Sequence, residues 1–308
     1  MKKMIMMINP FKKDVGDISK GAYVIKKLLG FIIVYISSTI IAEGIVILGL
    51  TVAGYDFLHG EMPSLDSMML IKCYGFSIPL GITILYCKLI EKRNLESMGI
   101  VKKKIAKSYL LGTGIAIILL GSIFILCIIS KSIVYCGKSD NINIILILGY
   151  LGAFIIQSSM EEIMCRGFLM NSLLYKIPAS IAILISSVMF ALPHFPSLFQ
   201  SDMLAKIVGI VNLLLFSTVV SLLMIKYNNI WVSCAVHSAW NFILAIIIGI
   251  NLSGSENVSS VFKFNANENM KLLNGGQYGI EGGLICTMVL ILFVIVLSKR
   301  VERERYGV

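Results

Sequence analysis

Apolar runs long enough to cross a bilayer alternate with short polar breaks along the whole chain. Read at the ~20-residue length that a ~30 Å hydrocarbon core demands, they fall at 28–52, 68–90, 107–130, 143–174, 178–194, 203–225, 229–250 and 283–299. The runs are continuous rather than alternating, so no strand pattern competes with helix. The expected fold class is all-α, a polytopic membrane protein of about eight transmembrane helices. The fourth run exceeds what a bilayer needs and is expected to tilt or extend beyond it. The fifth is short and is expected to end at Pro193. Residues 28–299 read as one membrane domain, flanked by terminal segments 1–27 and 300–308, with no soluble domain attached.

Composition removes the soluble alternatives. Hydrophobic residues make up 57% of the 308 and charged residues 14%, with a mean hydropathy of +0.88. A soluble protein carries about 25% charged residues. The net charge is +10, and Lys and Arg gather at 2–27, 88–107 and 299–305. These clusters flank apolar runs, which makes them anchors against anionic lipid rather than a nucleic-acid surface. Loops 53–67 and 195–202 contain no Lys or Arg. The alternation predicts a multi-pass protein of the cell membrane with both termini cytoplasmic. The abundance of Ile, Lys and Asn fits a bacterial plasma membrane. Loop 251–282, polar and bearing Gly275-Gly276 and ending at Gly282-Gly283, is expected to be a flexible outer cap, the alternative being that part of it dips back toward the membrane. The apolar stretch Met4–Ile8 is too short for a signal-peptide core, so the first span is expected to serve as anchor. Seven scattered cysteines with no Cys-x-x-Cys argue against a disulfide framework and a thiolate zinc site.

Against this background a few polar residues stand out. Glu161, Glu162 and Arg166 lie within the fourth run, where a charge at a helix centre costs roughly 2.5–3.5 kcal/mol. His194 closes the segment Phe190-Ala191-Leu192-Pro193-His194, and His237 and Asn241 share the seventh run. At ~100° per residue, Glu162 and Arg166 are neighbours on one helix face, as are His237 and Asn241, whereas Glu161 lies ~140° from Arg166. Arg166 is therefore expected to neutralise Glu162 and to leave Glu161 facing another helix. Counted from the predicted turns near Lys176 and Asn228, Glu161, His194, His237 and Asn241 rise roughly 13–24 Å, one layer of the membrane.

Water activation is the chemistry that would use this set. Glu161 would take a proton from water that His194 holds, and His237 and Asn241 would donate to a developing oxyanion. The alternative is a Zn2+ site with Glu161, His194 and His237 as ligands, although the helical His-Glu-x-x-His signature is absent. Each element also has a plainer reading: Glu162–Arg166 as a structural ion pair, His194 as an interfacial residue, His237 and Asn241 as interhelical hydrogen-bond glue. Asn212 and Cys165 read as packing, and His59 as a solvated loop residue. Three polar clusters at one depth exceed what bundle stability requires.

Glu161-Glu162-x-x-x-Arg166 with Gly167 and Phe168 after it, then Phe190-x-x-x-His194, then His237-x-x-x-Asn241, each on its own span, resemble the CAAX protease and bacteriocin-processing family. This family includes type II CAAX prenyl endopeptidases and lysostaphin-resistance-protein-A-like proteins. The resemblance covers about residues 140–250. It implies an eight-helix intramembrane endopeptidase in which Glu161 with His194 activates water, His237 and Asn241 stabilise the oxyanion, and Glu162 and Arg166 shape the site. The implied partner is a peptide precursor or membrane-tethered protein within the lipid bilayer. The family has been described both as glutamate-dependent and as metal-dependent, and the lack of a compact ligand motif favours the first. Competing expectations are a non-proteolytic membrane interaction or immunity protein and an ion-coupled transporter, the latter disfavoured by the lack of inverted repeats.

Overall fold

A computed structural model describes residues 8–11, 18–56, 59, 61–198, 203–254 and 258–306. Lys12, Lys13, residues 199–202 of the loop after the fifth span, and 307–308 of the tail lie outside the described residues. Among the described residues, eight helices are long and apolar enough to cross a membrane: α1 Lys20–Val52, α2 Leu65–Leu89, α3 Ile105–Ile129, α4 Ile144–Leu173, α5 Ala179–Leu198, α6 Met203–Tyr227, α7 Ile230–Ile248 and α8, whose spanning part is Leu284–Glu302. α7 sits at the centre, with 72% of its span buried against α3, α4 and α6. α1 and α2 are only 22% and 17% buried, and α1 turns Ile36, Ile40, Ile45 and Leu48 outward, as a lipid-facing helix must.

Small residues let the central helices approach closely. A Cβ at Gly112 of α3 would collide with the Val232 carbonyl oxygen and the Ala235 Cβ of α7, so this seam closes only around glycine. Serines fill the same role with a hydrogen bond added: Ser233 Oγ donates to Val220 O of α6 at 2.8 Å.

Helical irregularities follow from local chemistry. α2 breaks at Phe76, where Pro79 three residues on can supply no N–H to the preceding turn. α5 does not end at Pro193 as the sequence suggests. The missing N–H tightens Leu192–His194 into a 3-10 turn, and the chain continues helical through Phe195–Leu198. α4 and α7 each widen into a π-helical segment, Ile163–Met170 and Ile243–Ile248, at or just after their motif residues.

Two further expectations are overturned. The segment after α7 is no flexible cap. Its described part forms strand β2, Phe262–Ala266, paired antiparallel with β1, Ile133–Lys138, which follows α3. Asn274 Nδ2 donates to Ser132 O at 2.6 Å, Asn251 Nδ2 to Gln277 O at 2.9 Å, and Tyr278 and Ile280 are buried in the bundle. Side-chain amides of Asn212, Asn251 and Asn274 meet several of its backbone carbonyls, so it packs as a return loop. Nor are all basic residues near the span ends lipid anchors. α1 begins before its apolar run, which brings Lys27 to 4% exposure and 2.8 Å from Glu91 Oε1. Arg93 donates inward to protein carbonyls, at the foot of α4.

Candidate active site

α4 carries the two adjacent carboxylates, and its helical turn sends them to different places. Glu162 is fully buried, and its Oε1 accepts from Arg166 Nη1 at 3.0 Å and from His237 Nδ1 at 2.9 Å. Arg166, equally buried, donates from Nη2 to Ser217 Oγ at 2.5 Å and from Nε to Ser221 Oγ at 3.3 Å, both on α6. Its guanidinium lies 4.6 Å from the centre of the Phe190 ring. The planar fork is thus held by a carboxylate, two hydroxyls and an aromatic face, the set of partners that makes a buried arginine tolerable. The ion pair expected from the sequence is present.

Glu161 faces a cavity of about 700 Å³ bounded by α1, α2, α4, α5 and α7. Its Oε1 accepts from Gln157 Nε2 at 2.5 Å. Its Oε2 has no protein hydrogen-bond partner and lies 3.7 Å from His237 Nε2. His194 and Asn241 line the same cavity. His194 Nδ1 is 3.1 Å from Phe190 O, so this nitrogen carries the proton and Nε2 is the acceptor. Asn241 Nδ2 donates to Gln157 Oε1 at 3.0 Å, which links Asn241 through Gln157 to Glu161. The helices therefore bring Glu161, His194, His237 and Asn241 to one cavity, and Glu162 and Arg166 lie beside it in the core.

The π segment of α4, whose ladder is widened to i→i+5 bonds, also takes side-chain donors from outside. Ser186 Oγ on α5 donates to Cys165 O at 2.9 Å. Arg93 donates to Gly167 O and Phe168 O, each at 3.1 Å. Gly167 is where the Arg93 loop docks: a Cβ there would stand 3.0 Å from Met98 O. Arg93 thus stiffens the lower end of the helix that bears Glu161.

The Zn2+ alternative can be tested against these positions. Among the described residues no three His, Cys, Asp or Glu side chains come together so as to hold a metal ion. Glu161, His194 and His237 share the cavity but form no three-ligand set, so the arrangement does not fit a site of that kind.

Sequence reasoning misses Gln157, Ser217 and Glu43. Gln157 stands one turn before Glu161, and Glu43 is a carboxylate within the apolar run of α1 that also lines the cavity. Both offer the same signal as Glu161, a polar residue in a span. Ser217 and Ser221 offer none, since serine is common in membrane helices. Asn212 proves to be glue between α6 and the return loop, donating to Glu281 O at 2.8 Å. His59 is exposed and 2.6 Å from Asp56 Oδ2.

Residues 141–243 match the family model described as type II CAAX prenyl endopeptidase Rce1-like. The segment is similar to an intramembrane CAAX protease. All six motif residues, from Glu161 to Asn241, fall within this Rce1-like segment, in agreement with the resemblance read from the motifs. No curated protein matches the chain at a significant level. The Rce1-like segment spans α4 to α7 without their partners α1, α2 and the return loop, which complete the cavity walls.

Proposed function

We propose that this chain is a membrane-embedded endopeptidase that hydrolyses a peptide bond in a membrane-associated protein or peptide precursor, with Glu161 as the general base. One observation carries the reading: Glu161, unlike its neighbour Glu162, lines a cavity shared with His194, His237 and Asn241. Each of the two acids leaves its Oε2 without a protein partner, and of the two only Glu161 is placed beside a cavity where water and substrate could reach it.

In this reading Glu161 takes the proton as water attacks the scissile carbonyl carbon, and His194 Nε2 accepts a hydrogen bond from the same water. Negative charge then develops on the carbonyl oxygen. Asn241, whose second amide hydrogen is not used by Gln157, and His237 are the donors that stabilise it. The proton passes from Glu161 to the leaving amine as the C–N bond breaks. Glu162 keeps His237 oriented through Nδ1, and Arg166 compensates Glu162. With Nδ1 donating to Glu162, donation to the oxyanion comes from His237 Nε2–H, so the imidazole is protonated in this step, and the proton that moves through Glu161 is the water's.

The test uses purified full-length protein in lipid nanodiscs and an internally quenched farnesylated peptide with a CAAX terminus, beside unprenylated peptides of the same design. The wild type is expected to cleave at least one probe, and Glu161→Gln to cleave none. Equal cleavage by both would remove Glu161 from the base role.

A further inference from the structure

Glu281 lies in the return loop, outside the Rce1-like segment, and is a carboxylate behind the site that the hydrolytic scheme does not use. Its Oε2 accepts from Trp240 Nε1 at 3.0 Å. Its Oε1 accepts from Ser253 N at 2.7 Å and Ser253 Oγ at 2.6 Å. Its backbone is pinned in turn: Asn212 Nδ2 donates to Glu281 O at 2.8 Å and Gly283 O at 2.9 Å, and Thr287 Oγ1 donates to Asn212 Oδ1 at 2.7 Å. A single side chain therefore ties α7 to the start of the return loop, while Asn212 ties the same residue's backbone to α6 and α8.

Trp240 sits between His237 and Asn241 on α7. Its ring packs on Phe216 with centroids 5.1 Å apart, and Phe216 meets the His237 ring edge-on at 5.4 Å. Directly after Phe242 the helix becomes π-helical through Ile243–Ile248. The regular α-helical ladder of α7 ends there, so the contacts around Trp240 act directly on the last regular turn, which carries His237 and Asn241. A small cavity lies between these groups, lined by His194, His237, Trp240, Tyr278 and Glu281.

We propose that Glu281 is a positioning residue for this active site: its carboxylate clamps Trp240 and Ser253, and thereby sets the rotation of α7 that aims His237 and Asn241 into the cavity. The proposal rests on the peptidase reading for its catalytic consequence, and on the clamp geometry alone for its structural one.

The experiment separates the two. In a Trp231→Phe background Trp240 is the sole tryptophan, since the chain has two. Glu281→Ala is expected to shift Trp240 emission to the red and to speed diethyl pyrocarbonate labelling at His237, located by mass spectrometry. Glu281→Gln, which keeps one acceptor, should fall between. On the farnesylated probe, Glu281→Ala should lower kcat about 10- to 100-fold, the scale of a small misplacement, with KM within about twofold. Trp240→Phe should lower kcat comparably, and the double variant should be no worse than either single one. Asn274→Ala, which removes the loop's bonds to Ser132 O and Asn267 O but none of the clamp's own, should leave kcat near wild type. Unchanged emission and labelling in Glu281→Ala would overturn the clamp whether or not any probe is cleaved. Additive losses in the double variant, or an equal loss in Asn274→Ala, would reduce Glu281 to general loop order. If the wild type cleaves nothing, the peptidase reading fails while emission and labelling still decide the clamp.

Discussion

Glu161 and Glu162 are chain neighbours with opposite surroundings. On the Glu162 side the carboxylate is enclosed by Arg166, His237 and, beyond the guanidinium, the serines of α6. On the Glu161 side there is a cavity and one tight hydrogen bond from Gln157, and each acid keeps one oxygen, Oε2, without a protein partner. A helix rotates ~100° per residue, so adjacent acids cannot share one environment. The contrast teaches how a membrane bundle can hold a reactive carboxylate. One acid and one arginine form a largely compensated unit in the core, and this unit orients an imidazole. The second acid is then free to face water and substrate without also carrying the structure.

The sharpest way to break this comparison is on the compensated side. Arg166→Ala strips the fully buried Glu162 of its cation and leaves it only the His237 Nδ1 hydrogen bond, and should destabilise the protein by about 3–5 kcal/mol. Arg166→Lys should rescue little, because an ammonium cannot serve the carboxylate and two hydroxyls from one plane. Thermal unfolding in detergent reads both, and a near-wild-type midpoint for Arg166→Ala would show that the core does not depend on the pair. On the cavity side the signature should invert. Glu161→Gln should reduce cleavage by about 10²–10⁴-fold, the usual worth of a general base, with the unfolding midpoint moved by no more than about 3 °C. If both variants lose stability and activity in parallel, the two sides are not distinct.

Gln157 joins Glu161 to Asn241, so Gln157→Ala should have a smaller effect, about a tenfold loss in kcat for one or two weakened hydrogen bonds. No loss would show that Glu161 keeps its place without it. Gly112→Ala tests the frame beneath both sides. The added methyl must push α3 from α7, at about 1–3 kcal/mol, and should lower the unfolding midpoint with the ratio of Glu161-dependent to Glu161-independent cleavage unchanged. A selective loss of cleavage at an unchanged midpoint would place Gly112 in the site rather than in the seam.

Much of this architecture is legible in the chain itself. All eight spans are, to within several residues, because hydrocarbon admits only long apolar helices there. The six motif residues are legible because each is costly in lipid, and the Glu162–Arg166 pairing follows from helical spacing alone. The return loop misleads for the opposite reason. Its polarity and glycines resemble a solvated linker, and only the partners it meets, Ser132 and Asn212 among them, distinguish a folded cap from a loose one. Arg93 and Lys27 mislead in the same way, since a basic residue near a span end looks the same whether it meets lipid or a protein acceptor.

What the sequence determined by itself, then, is the number and order of the helices and the identity of the polar residues they carry. Both rest on local costs, bilayer length and buried charge, that each segment bears alone. What only the tertiary structure decided is which of those residues meet. His237 bonds Glu162 and stands 3.7 Å from Glu161, Asn241 reaches Glu161 through Gln157, and Glu281 reaches α7 from beyond the Rce1-like segment. These contacts depend on how helices distant in sequence are rotated against one another. That rotation is a property of the packed bundle, and no single segment encodes it.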